Sequence, residues 1–169
     1  MIEVRPAAPE DTRDVARVHA RSWRSAYRGL LPDGYLDGLD PEVLARRYTF
    51  GRMGIRVPST VLAVDGPAVC GLVTTGLSRD EGLPNFGELM ALYVDPAYLG
   101  TGVGRLLITA ARERLRGLGV AGALLWVLDG NARARRFYER DGWWRDGAWR
   151  TETFDGQPVR QLRYRRDPV

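Results

Sequence analysis

The chain has 169 residues, 44% of them hydrophobic and 27% charged, with a formal net charge of +4. That length is enough for one domain, residues 1–169, with a proper core, and no run approaches the ~18 apolar residues of a membrane span. One cysteine, Cys70, and one histidine, His19, exclude an intramolecular disulfide, a Cys-based zinc cluster and a His-rich metal site. With no basic-then-apolar leader in MIEVRPAAPED, the expected location is the cytoplasm.

In chain order, Ile2 to Arg5 alternates as a short strand. Pro9-Glu10-Asp11 opens a helix running to about Arg28, with proline and acids in its first turn, as the helix dipole favours. Val15, Val18, Ser22 and Ala26 mark its inner face, and Trp23 and Tyr27 form an i,i+4 aromatic pair beside it. Asp40-Pro41 starts a second helix through Val43, Leu44 and Tyr48, ending before Gly51. Thr60–Val64 and Ala68–Leu77 read as strands joined by the hairpin signal Asp65-Gly66, followed by a polar loop over Ser78–Phe86. Glu88–Asp95 is a strand with little polar interruption, as in one buried on both faces. A helix follows from Arg105, with Leu107, Ala110, Ala111, Leu115 and Leu118 on one face. Gly122–Leu128 is a strand parallel to the one at Glu88, because a helix connects them. Asn131–Arg140 is a short helix ended by Asp141-Gly142, and Trp143–Phe154 and Val159–Arg165 face each other across Asp155-Gly156.

The junction between the strand at Glu88 and the helix at Arg105 has the chemistry of an anion site. The first N–H groups of a helix lack intrahelical partners and lie at its positive end, and glycines before them let a phosphate approach. A P-loop would need Gly-Lys-Ser/Thr, but all 25 Lys+Arg residues are arginine. A dinucleotide fingerprint would need G-x-G-x-x-G, but the spacing is Gly100-Thr101-Gly102-Val103-Gly104, with Arg105 where the third glycine would stand. Asp129, at the end of the next strand, stands where a ribose-binding acid would lie and keeps that reading open. The pI near 9.6 invites a nucleic-acid reading. The arginines are scattered, however, and their densest group, Arg133, Arg135, Arg136 and Arg140, is explained by an anionic small molecule. No nucleic-acid or membrane partner is expected.

Glu88-x-x-x-Leu92-Tyr93-Val94-Asp95-Pro96 followed by Gly100-x-Gly102-x-Gly104 resembles the acetyl-CoA signature of the GCN5-related N-acetyltransferase (GNAT) family. Leu99 stands where that family usually has Gln or Arg, which removes a polar side chain but no backbone donor. Asn131-x-x-Ala134-x-x-Phe137-Tyr138-x-x-x-Gly142-Trp143 resembles the family's second motif. The resemblance implies an α/β fold: a mixed, mostly antiparallel sheet of six to seven strands with flanking helices and a splay between the fourth and fifth strands. It implies an N-acetyltransferase that moves an acetyl group from acetyl-CoA to a primary amine in a ternary complex, with no metal. An acyl-CoA sensor of the same fold is the alternative.

Carried onto this chain, the resemblance makes Glu88 the general base, on a strand expected to bury it. The amides of Leu92, Tyr93 and Val94 bind the pantetheine arm and the developing oxyanion. Leu99, Gly100, Thr101, Gly102, Val103, Gly104 and Arg105 form the pyrophosphate cradle. Asn131 caps its helix and contacts the cofactor, Arg133 and Arg136 either reach the phosphates or stand solvated on their helix, and Tyr138 protonates the leaving thiolate. Trp23, Tyr27 and Tyr35 are candidates for the acceptor pocket, with core packing as the competing reading. Asp80 and Glu81 are expected to draw a cationic amine. The acceptor is a small-molecule or peptide amine, and Trp143, Trp144 and Trp149 suggest a homodimer surface.

Overall fold

The computed structural model describes residues 1–169. Its seven strands are β1 (Ile2–Pro6), β2 (Ser59–Asp65), β3 (Ala68–Leu77), β4 (Gly87–Val94), β5 (Ala123–Leu128), β6 (Trp144–Phe154) and β7 (Gln157–Arg166). They form one sheet in the order β1-β2-β3-β4-β5-β7-β6, antiparallel except for β4 and β5. Tight turns set much of that order. β2 and β3 close on Gly66 at φ +57°, and β6 and β7 on Asp155 and Gly156 at φ 50° and 79°, left-handed conformations that suit two-residue hairpins. The second strand of the last hairpin, β7, is the one inserted against β5.

The helices are α1 (Thr12–Ala26), α2 (Asp33–Asp37), α3 (Pro41–Ala45), α4 (Val103–Gly117) and α5 (Ala132–Arg140). Period-two alternation divides the core between the two faces of the sheet. Ala63 and Val73 face α4 with Val103, Leu107, Ile108, Ala111 and Leu115. Their chain neighbours Leu62 and Leu72 face α1 with Val15 and Val18. Tyr138 of α5 and Trp143 belong to the α4 side.

The feature that shapes the site is a bulge in β4. Thr74 pairs with Ala91 and Thr75 with Leu89, so Met90 is an extra residue. A bulge adds twist and bends its strand. β5 has none opposite, and the parallel pairing covers only Gly87↔Ala123 and Glu88↔Leu124. From Leu89 onward the two strands part, as the motif resemblance implied.

Several sequence expectations are corrected. The first helix begins as a 3-10 turn over Pro9–Asp11 and is α-helical only from Thr12. The second helix stops at Ala45, because Tyr48 leaves the helical path and its hydroxyl meets His19 Nδ1 at 2.8 Å. The short helix α2 was not expected; it seats Leu36, fully buried, against Leu31, Leu128 and Phe154. β4 is buried only at Gly87, Glu88 and Leu89; beyond them it is half-buried, because its far side faces a cavity. Of the tryptophans expected on a dimer surface, Trp143 is in the core at 2% exposure, leaving Trp144 and Trp149 exposed. The dinucleotide reading fails: the sheet before Gly100 is built of antiparallel hairpins, and Asp129 is bound by Arg135 at 3.2 Å. No helix is long and apolar enough to cross a membrane.

His19 sits between the rings of Trp23, Tyr48 and Tyr93, with Arg47 nearby, and burial, aided by the charge of Arg47, lowers its pKa to about 4. Below its ordinary value near 6.5 the unfolded chain takes up a proton that the native state refuses. His19 therefore lowers stability as pH falls from about 6.5 towards 4, by up to about 3 kcal/mol. Urea unfolding at about pH 7 and pH 4.5 should show a smaller acid loss in His19→Gln than in the parent chain. Equal losses would show that His19 does not titrate between the two states.

Candidate active site

The gap between β4 and β5 opens into a cavity of about 880 Å³. It runs from the glycine turn past the C-terminal end of β4 to Glu88 at the other end, a strand length of roughly 20 Å. Leu92, Tyr93, Val94, Leu99, Gly100, Gly102, Gly104, Arg105, Asn131, Arg133 and Tyr138 all line it. Motifs about 40 residues apart in sequence thus meet on one wall because α4 packs across the sheet and delivers β5 and α5 back beside β4.

At the glycine end, Asp95 Oδ1 accepts from Ala97 N at 2.9 Å and caps a 3-10 turn over Pro96–Tyr98. Gly100 and Gly102 then take φ of +77° and +92°, which aims the start of α4 at the cavity. The amides of Gly102, Val103, Gly104 and Arg105 precede the first intrahelical bond of α4, so they are free to donate at its positive end. Gly104 is needed for close packing, since a Cβ there would lie 3.2 Å from the Phe137 ring. Arg105, Arg133 and Arg140 line this end, while nearby Arg112 and Arg135 are taken up by Asp141 and Asp129. Unpartnered amides, a helix terminus and three arginines make a fitting receptor for a diphosphate.

Two expected cradle residues and one expected phosphate arginine are placed differently. Val103 contributes its amide only, since its side chain is fully buried in the core. Thr101 turns its hydroxyl back onto Tyr98 O at 2.5 Å and closes the turn. Arg136 is exposed and outside the cavity. Asn131 caps α5, its Oδ1 accepting from Ala134 N at 3.2 Å, while also lining the cavity.

Mid-cavity, the unpaired edge of β4 from Leu89 to Val94 faces Tyr138, which is 8% exposed and packed against Phe137 and Trp143. Burial, then the nearby Tyr93 phenol, raises the pKa of Tyr138 well above the ordinary phenol range. Burial likewise raises Tyr27, and pushes Tyr93 up to about 12. All three phenols stay protonated across the physiological range. The indole N–H of Trp23 is buried beside Tyr93, and no acceptor meets hydrogen-bonding geometry with it. Trp23 and Tyr27 line the cavity; Tyr35 instead packs on Phe154, with ring centroids 5.3 Å apart.

At the far end Glu88 is 3% exposed, the burial expected of it, but it is not alone there. Arg79 donates from Nη2 to Oε2 at 2.6 Å and from Nε to Oε1 at 3.3 Å, and its backbone N–H reaches Oε1 at 2.9 Å. Sequence reasoning missed Arg79, which lies in a polar loop with no motif around it. It also missed Trp126, Arg150, Glu152 and Gln161, which line this end from β5, β6 and β7. Asp80, expected to attract a cationic amine, is held by Arg163 at 3.3 Å, and Glu81 is exposed outside the cavity.

Comparison with known proteins agrees with this fold. The family model "Acetyltransferase (GNAT) family" matches residues 20–143. Uncharacterized N-acetyltransferase YuaI of Bacillus subtilis is 30% identical over 132 residues, 78% of this chain and 74% of that protein. Spermidine N(1)-acetyltransferase of Thermoplasma acidophilum is 23% identical over 141 residues, 83% of this chain and 87% of that protein. Among solved structures, PaiA N-acetyltransferase of Thermoplasma acidophilum in complex with coenzyme A superposes with a TM-score of 0.71 at 20% identity, covering 99% of each chain.

Removing Arg79 would leave a buried carboxylate with only one backbone donor. Because the Arg79 side chain is 63% exposed, solvent screens part of the pair, and Arg79→Ala should cost about 1–2 kcal/mol at neutral pH. Adding Glu88→Gln should recover part of that loss in urea unfolding. A double variant as unstable as the two single losses summed would show that Arg79 and Glu88 do not act as a pair.

Proposed function

The chain belongs to the GNAT acetyltransferase family, and from that premise we propose that it transfers the acetyl group of acetyl-CoA directly to a small primary amine within a ternary complex. The observation that carries this reading is the single cavity joining the amide cradle, the free edge of β4 and the Glu88 end. A two-ended cavity holds donor and acceptor together, which removes the entropic cost of their encounter from the chemical step.

Acetyl-CoA supplies an acyl carbon already activated as a thioester. Gly102 to Arg105 and the free arginines hold its diphosphate, and the edge of β4 pairs with the pantetheine amides as an added strand would. Glu88, positioned by Arg79, takes up the proton that the acceptor nitrogen loses. The N–C bond forms as the amine attacks, and N–H groups of the Leu92–Val94 segment stabilise the oxyanion. The C–S bond then breaks, and Tyr138 donates its phenolic proton to the departing sulfur. A thiolate of conjugate acid pKa near 8.5 is a better base in a poorly solvated cavity than in water, which offsets the weakened acidity of a buried phenol.

Tyr138→Phe should lower kcat by about 100-fold or more while changing acetyl-CoA affinity by less than about twofold. Unchanged turnover would remove Tyr138 from the mechanism. Because its pKa is raised, the acid form persists as pH increases, and kcat should show no alkaline fall due to Tyr138 below about pH 10. Gly102→Val places a β-branched residue at φ +92° and covers the cradle amides, so calorimetry should show acetyl-CoA binding weakened at least about tenfold. Normal affinity in that variant would overturn the cradle.

A further inference from the structure

The face that β6 turns to the cavity carries Arg150, Glu152 and Phe154, a cation, an anion and an aromatic ring at two-residue spacing. Successive residues on one strand face lie roughly 7 Å apart. Gln161, opposite Arg150 on β7, fixes both charged groups. Its Oε1 accepts from Arg150 Nε at 2.7 Å, and its Nε2 donates to Glu152 Oε2 at 2.8 Å. The guanidinium also lies over the Trp126 ring, 4.2 Å from its centroid. Every bond made to Arg150 uses Nε, so both Nη nitrogens remain available, and one Glu152 oxygen is equally uncommitted. The neighbouring Arg79 is spent on Glu88, whereas Arg150 has no carboxylate within ion-pair distance of its own.

The geometry points to an acceptor that is itself a zwitterion, an amino acid or a close analogue, with its carboxylate on Arg150 and its ammonium drawn in by Glu152. This rests on the acetyl-transfer reading and names its substrate class. An arginine fixed by one nitrogen, stacked on a ring and left with a free fork is preorganised for a carboxylate. A neutral amide bridge holds the opposite charges apart, so neither cancels the other before the ligand arrives. A polycation fits poorly, because Arg150 would oppose it and Asp80 is already neutralised by Arg163. Phe154, 7% exposed, and Trp126 offer apolar surface for the rest of the acceptor.

The test is CoA release by the full chain with acetyl-CoA and acceptors differing only in the carboxylate, phenylalanine against phenethylamine and tyrosine against tyramine, with spermidine as the polycation. A charged hydrogen-bonded contact predicts a preference in kcat/KM of at least about tenfold for the amino acid. Arg150→Gln should collapse that ratio towards one, and Arg150→Lys should restore part of it. Acetyl-CoA affinity by calorimetry, unmoved in both variants, serves as the check on folding. A preference for the decarboxylated amines or for spermidine, or a ratio untouched by Arg150→Gln, overturns the assignment while leaving acetyl transfer intact. Acetyl-CoA binding with no CoA release to any amine overturns the transfer reading and this one with it.

Discussion

A strand that carries a bulge twists more than a neighbour that does not, and two such strands cannot stay in register for long. β4 is bulged at Met90 and β5 is regular, so their parallel ladder ends after Glu88 and Leu124. Lost ladder bonds are costly when the exposed amides are buried without partners. Here they face a cavity, and the proposed mechanism has a pantetheine arm take the place of the missing strand. The same divergence opens the cavity that Tyr138 lines and gives Glu88 its place where pairing ends.

Electrostatics divide the cavity into unlike ends. The cradle end combines helix-terminal amides with arginines left free of carboxylates, a setting for a multiply charged anion. The opposite end is nearly balanced, with Arg79 against Glu88, Arg163 against Asp80, and Arg150 joined to Glu152 through Gln161. Between them lie aromatic rings and protonated phenols, a zone of low polarity where hydrogen bonds and charges count for more than they would in water.

Much of this is legible in the local sequence pattern. Gly100, Gly102 and Gly104 announced a turn that needs left-handed backbone and close approach, and two of the three do take positive φ while the third abuts Phe137. Asn131 announced a helix cap and is one. The residues that could not be read ahead act through contacts made by folding. Arg79 lies in an unpatterned loop nine residues before the carboxylate it holds. Arg150 and Glu152 alternate with Trp149, Thr151 and Thr153 on a stretch of strand that is exposed on both faces, so nothing in the pattern says which face meets a cavity. Tyr48 follows helical spacing but serves His19 instead. Val103 and Thr101 show the converse: motif positions whose backbone matters and whose side chains do other work.

The most direct measurement is a crystal structure of the chain with acetyl-CoA. The diphosphate should accept hydrogen bonds of about 3 Å from amides between Gly102 and Arg105, with the thioester lying between the edge of β4 and the Tyr138 hydroxyl. β4 and β5 should remain parted beyond Glu88 and Leu124. A cofactor bound elsewhere, or a β4–β5 ladder that closes along its length when the cofactor binds, would contradict the account.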